Sequence, residues 1–151
     1  MSDITKGWAT EGKMWWHCVN AGIATDAECR AWATNCCMPD RALTSQLQAI
    51  ASGARIAPEE LLLVLAKCIP EPDDDSWWIL TKQRVSEALV SQKISAEYIA
   101  RYFHHFALSA EIPAYDREAL YQFELEYACL NEGFATQAEV DSKVMRFFTM
   151  P

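Results

Sequence analysis

The segment Cys18-Val19-Asn20-Ala21-Gly22-Ile23-Ala24-Thr25-Asp26-Ala27-Glu28 aligns without gaps to Cys129-Leu130-Asn131-Glu132-Gly133-Phe134-Ala135-Thr136-Gln137-Ala138-Glu139, with seven of eleven positions identical. Each copy reads as a helix stop, an apolar plug and a helix start. Glycine suits the left-handed residue that closes a helix. Thr-x-x-Glu is a capping box: the Thr hydroxyl takes the amide three residues on, and the Glu carboxylate reaches back. A chain that uses this pattern twice is committed to helices joined by short corners. Looser versions occur at Arg55–Glu60 and Lys93–Glu97. The plugs Ile23, Ile56, Ile94 and Phe134 lie 33, 38 and 40 residues apart, the length of a two-helix unit. Two readings stay open, recurrent capping chemistry or a true repeated unit. Both produce antiparallel helix pairs, and the pattern lacks the signature residues of tetratricopeptide and ankyrin repeats.

The rest of the chain agrees with helices. Gly and Pro are few, 5 and 6, and no stretch alternates strictly with β-branched residues. Leu120, Phe123, Tyr127 and Leu130 recur at helical spacing. Pro58 suits a first helical position, with Glu59 and Glu60 against the positive helix end. The stretch Pro58–Cys68 is apolar nearly all round and is expected to be buried. These signals predict helices near 10–20, 26–37, 41–52, 58–68, 76–91, 96–107, 116–131 and 137–148. The fold class is all-α, about eight short helices in antiparallel helix-turn-helix pairs, as one compact bundle or a short helical-repeat array. With 151 residues the chain is expected to form one domain, 1–151. Its possible halves, 1–69 and 76–151, are joined by the acidic, proline-rich loop 70–75.

Charge narrows the partners. Lys and Arg number 13, Asp and Glu 21, for a net charge of −8. Such a chain lacks the positive field that non-specific nucleic-acid binding requires, and anionic membranes are disfavoured for the same reason. No apolar run is long enough to cross a bilayer, and the first residues lack the apolar core of a secretory signal. The six cysteines have no C-x-x-C pair and are read as reduced thiols of a cytoplasmic protein.

Motifs for common chemistries are missing. There is no phosphate-binding glycine loop and no G-x-S-x-G elbow. His17, Cys18, Cys29, Cys36 and Cys37 fit no usual zinc spacing, and Asp73-Asp74-Asp75 lacks the Gly and terminal Glu of a calcium loop. No metal or cofactor is therefore expected. Asp75 reads as an N-cap. Adjacent tryptophans point about 100° apart on a helix, so one of Trp77 and Trp78, and one of Trp15 and Trp16, is expected near the surface.

The leading expectation is a non-enzymatic, acidic protein-interaction module. In this size and charge range it fits an inhibitor, a toxin-immunity or phage-type anti-defence protein that occludes a basic cleft of a toxin or nucleic-acid-handling protein. The alternatives are an all-α enzyme with a Cys/His site and a helical-repeat adaptor that binds a peptide in a groove. The candidate partner-binding residues form two sets: Glu118, Glu124, Glu126 and Glu132 on a helix, and Asp73, Asp74, Asp75, Trp77 and Trp78 at the acidic loop. The helix is preferred, because charge on a rigid support loses less entropy on docking.

Overall fold

The computed structural model describes residues 3–35, 48–52, 58–133 and 135–149. Among these the chain is all-helical, with no strand. The elements are α1 (Asp3–Asn20), α2 (Asp26–Asn35), α3 (Pro58–Cys68), α4 (Ser76–Val90), α5 (Ala96–Leu108), α6 (Ala114–Ala128), a 3-10 turn (Leu130–Glu132) and α7 (Gln137–Thr149). Residues 48–51 are helical too. Residues 41–47 of the expected 41–52 helix, together with Cys36, Cys37, Gly53, Ile56 and Phe134, lie outside the described residues.

Two compact units divide the chain, Met1–Thr81 and Lys82–Pro151. The division falls within α4, whereas the sequence suggested halves joined at 70–75. In the first unit, α1 packs on α3 and α2. α1 begins seven residues earlier than the sequence implied. Gly12 has a packing reason: a Cβ there would lie 2.5–2.9 Å from side-chain atoms of Ile69, so only glycine admits that approach. Among the described side chains of α3, at 59–68, Leu61 and Leu65 are buried, and Leu63 is 60% exposed. The all-round burial expected of this helix is therefore corrected to a single covered face.

In the second unit, α5, α6 and α7 pack on one another. Contact register gives their directions. Arg101 meets Glu124 and His104 meets Tyr121, so α5 and α6 are antiparallel. Phe123 meets Phe147 and Glu126 meets Lys143, so α6 and α7 are antiparallel too. The result is an up-down-up arrangement around Ile99, Phe103, Leu120, Phe123, Val140, Val144 and Phe148, all buried.

The corners follow the chemistry read from the sequence. After α1 the Ile23 amide donates to the Cys18 carbonyl (2.8 Å) and the Gly22 amide to Val19 (3.1 Å), with Gly22 at φ +78°. This paired closure is the Schellman motif. The same closure follows α4, with Gln92 at φ +59°, and α5, with Ala110 at φ +62°. Arg117 fastens the α5–α6 connection, its Nε donating to the Ile112 carbonyl (2.6 Å) and its Nη2 to that of Ala110 (3.3 Å). Thr25 forms the full reciprocal box with Glu28, at 2.9 and 3.1 Å. Ser95 caps α5 by accepting from the Tyr98 amide (3.1 Å), and Gly133 is left-handed at φ +80°. At the last corner the Thr136 hydroxyl accepts from the Glu139 amide and donates to its carboxylate, both at 3.2 Å. Ile23 is buried as expected.

Candidate protein-docking face

The core residues Leu120, Phe123 and Tyr127 fix how α6 is turned, and that placement distributes its acids. Glu124 lies towards α5, where its Oε1 accepts from Arg101 (3.3 Å). Glu126 lies towards α7, where its Oε1 accepts from Lys143 (2.7 Å). In each the second oxygen, Oε2, is buried with no hydrogen-bond partner, so the matching cation is the main compensation for that carboxylate. Asp116 pairs with Lys82 at 2.9 Å. Asp141 accepts from the Tyr127 hydroxyl (2.6 Å) and from Gln137 (3.1 Å). Burial, then the Asp141 partner, raises the Tyr127 hydroxyl above its ordinary pKa. Much of the acidic charge between 111 and 141 is thus neutralised or solvated by the unit's own side chains. Of the four helix acids singled out in the sequence, Glu118 and Glu132 are exposed.

The acidic loop lies in the first unit. Asp73, Asp74 and Asp75 are all exposed. Asp74, rather than Asp75, supplies the side-chain cap, its Oδ1 accepting from the Ser76 amide (2.9 Å). The Asp75 carbonyl accepts from Trp78. Glu71 is paired with Lys13 at 3.0 Å, and the Lys13 ammonium sits 4.5 Å above the Trp77 ring. Trp77 also stacks on His17, centroids 5.1 Å apart.

Trp77 and Trp78 are both buried, at 3% and 0% exposure, which corrects the expectation that one would be near the surface. The covered residues of α4 are Trp77, Trp78, Thr81, Val85, Ala88 and Leu89. On a helical wheel they fill one arc of roughly 120°, and a buried stripe is at least about 100° wide. Two neighbours 100° apart, by helix geometry, can therefore occupy its opposite edges. Neither indole offers itself as a surface anchor. Trp15 is buried and Trp16 half-buried, closer to the expected division.

Two residues of the Cys/His alternative, His17 and Cys29, are poorly suited to catalysis. His17 is 1% exposed, and burial followed by Lys13 lowers its pKa to about 3, so it is neutral at ordinary pH. Burial pushes the Cys29 thiol up to about 12, which suppresses the nucleophilic thiolate. Among the described residues no group of three or more His, Cys, Asp or Glu could hold a metal ion. No helix there is long and apolar enough to cross a membrane.

Another set of residues does come together at the surface. Leu108 is 65% exposed, Leu125 57% and Tyr121 36%. Tyr121 and Leu125 are one turn apart on α6, as His104 and Leu108 are on α5. The His104 and Tyr121 rings meet edge to face at 5.9 Å. The Tyr121 hydroxyl donates to the Ala107 carbonyl (3.0 Å), so the ring is held in place. Leu108, Tyr121 and Leu125, with half-buried His104 against Tyr121, thus place a stripe of exposed apolar side chains on the α5–α6 hairpin. Glu118 lies one turn from Tyr121, and the Arg101–Glu124 pair borders the other end. The sequence does carry the signal: Tyr121 and Leu125 are large apolar residues off the Leu120–Phe123–Tyr127 stripe. Charge counting passes over them. Compared with protein-family models, curated proteins and solved structures, the chain matches none.

Proposed function

We propose that this chain is a non-enzymatic, acidic protein-interaction module that docks on a basic protein through the outer face of the α5–α6 hairpin. The observation that carries the reading is the exposed Leu108–Tyr121–Leu125 stripe beside Glu118. Tyrosine is enriched in binding hot spots, and apolar neighbours such as Leu108 and Leu125 can exclude water around it. A net charge of −8 favours encounter with a cationic partner. The mode of action would be occlusion, as in an inhibitor of a toxin or of a nucleic-acid-handling defence protein, with Glu118 and Glu132 meeting the rim of its basic cleft.

The test begins with crosslinking in the native host to identify the partner, followed by binding kinetics with purified proteins. Leu125→Asp combined with Tyr121→Ala should weaken binding at least 30-fold, mainly through faster dissociation, since losing a hot spot costs about 2 kcal/mol or more. Glu118→Lys should instead slow association severalfold at low salt. A basic partner whose binding ignores both changes would place its contact elsewhere and end this reading.

A further inference from the structure

The two helices that carry the exposed stripe run antiparallel, and their register orders its side chains. The His104 ring meets Tyr121 at 5.9 Å, and Arg101 meets Glu124 at 3.3 Å. Leu108 lies one turn beyond His104 on α5, and Leu125 one turn beyond Tyr121 on α6. Because the helices point in opposite directions, those two turns lead away from each other. The order along the seam is therefore Leu108, then His104 with Tyr121, then Leu125. At about 1.5 Å per residue each step is about 6 Å, and the row spans about 12 Å. Charge along the seam is unequal. Glu97 and Glu124 share Arg101, and Arg117 is turned onto the Ile112 and Ala110 carbonyls. Glu118, at the Leu108 end, is exposed and has no cation of its own among the described residues.

We infer that the occupant of this row is an amphipathic basic helix of the partner, laid along the α5–α6 seam with apolar residues one turn apart. The inference rests on the docking reading above and adds the form of the docked segment. A helix offers apolar anchors at i, i+4 and i+7, close to the spacing of the row. An extended segment matches the spacing too, since alternate residues of a strand lie about 6–7 Å apart. It would, however, bring unpaired backbone N–H and C=O groups onto the surface, and among the described residues there is no strand whose edge could receive them. A helix pairs those groups internally and presents only side chains to the contact. Its docking extends the helix-on-helix packing that α5, α6 and α7 already use. Glu118 and the net charge of −8 favour lysine or arginine on the flank of that helix nearest α6.

The probes are two synthetic Lys/Leu peptides of identical composition, roughly 18 residues each and so long enough to form a helix. One places leucine at helical spacing, and the other alternates leucine and lysine strictly. Binding to the full chain is followed by NMR of the Leu108 and Leu125 methyl groups. The helical peptide should give saturable shifts at both. The alternating peptide should bind about tenfold more weakly or worse, because its backbone groups lose water without gaining partners. Leu108→Asp and Leu125→Asp should each weaken the helical peptide by about tenfold, the effect of losing one buried leucine. Both side chains are exposed in the free chain, and an unchanged melting temperature will confirm that folding is intact. Equal or tighter binding by the alternating peptide would overturn the inference, and loss of that binding in the leucine variants would still leave the docking face standing. No saturable shift, or helical-peptide binding that ignores both leucine variants, would overturn the inference as well. The proposed function is decided separately, by the native partner's response to Leu125→Asp with Tyr121→Ala.

Discussion

The interior of Met1–Thr81 gathers its polar groups among aromatic rings, with neutral His17 stacked on Trp77 and Lys13 lying over the same indole. In Lys82–Pro151 the polar groups instead link helices pairwise: Arg101 to Glu124, Lys143 to Glu126, Lys82 to Asp116 and Tyr127 to Asp141. The first arrangement depends on a group staying uncharged, the second on groups staying charged. Acid should therefore weaken the first region through one histidine, and charge reversal should weaken the second through its pairs.

The most severe way to break this contrast is to empty the aromatic region. Trp78→Ala removes a fully buried indole and should cost about 3–5 kcal/mol in urea unfolding, the usual range for such a deletion. A cost below 1 kcal/mol would mean that the indole contributes little packing.

Acid tests the histidine itself. With its folded pKa lowered to about 3, His17 takes up its proton more readily in the unfolded chain. Its contribution is complete above the unfolded value near 6.5 and is lost progressively as pH falls from there towards 3. The slope is at most about 1.4 kcal/mol per pH unit, so roughly 2 kcal/mol should be lost between pH 6.5 and 5. Tryptophan fluorescence during denaturant titration would read it. A His17→Gln variant should show a flatter pH profile over that window. The same slope in the variant would assign the acid sensitivity to other groups.

Reversing the charged links comes next. Glu124→Lys with Glu126→Lys sets new cations against Arg101 and Lys143 and should cost on the order of 1–2 kcal/mol, because partly exposed pairs contribute modestly. High salt should reduce that penalty. This double variant would alter folding as well as binding, which is why Glu118 is the better probe of docking.

The smallest effect compares the two matched corners. Thr25→Ala removes the hydroxyl that accepts from the Glu28 amide and leaves the Thr25 backbone N–H bonded to the Glu28 carboxylate, whereas Thr136→Ala removes both an amide cap and a hydroxyl–carboxylate contact. Each should cost about 1 kcal/mol, with Thr136 the larger. A greater loss at Thr25 would reverse the assignment of the stronger cap.

These corners were also the most legible part of the chain. Capping is local, so Thr25, Ser95, Thr136, Gly22 and Gly133 can be read from their neighbours in sequence. What escaped the sequence depends on distant contacts. The Ile69 approach that explains Gly12 bridges more than fifty residues. The burial of both Trp77 and Trp78 depends on how wide a covered arc α4 acquires. Counting acids on α6 identified Glu124 and Glu126 but gave no view of the Arg101 and Lys143 that occupy them. The exposed apolar stripe combines α5 and α6, so neither helix alone displays it.

The left-handed residue after α5 has an evolutionary consequence. Ala110 holds a conformation that costs a side-chain-bearing residue roughly 1–2 kcal/mol, and glycine would hold it without that penalty. Alanine and glycine codons differ by one nucleotide. A lineage that loses stability through changes at neighbouring Leu108 or Tyr121 therefore has a compensating change one mutational step away. Retaining alanine keeps that reserve undrawn, and selection for restored stability in destabilised variants of this hairpin should recover Ala110→Gly as a recurrent second-site suppressor.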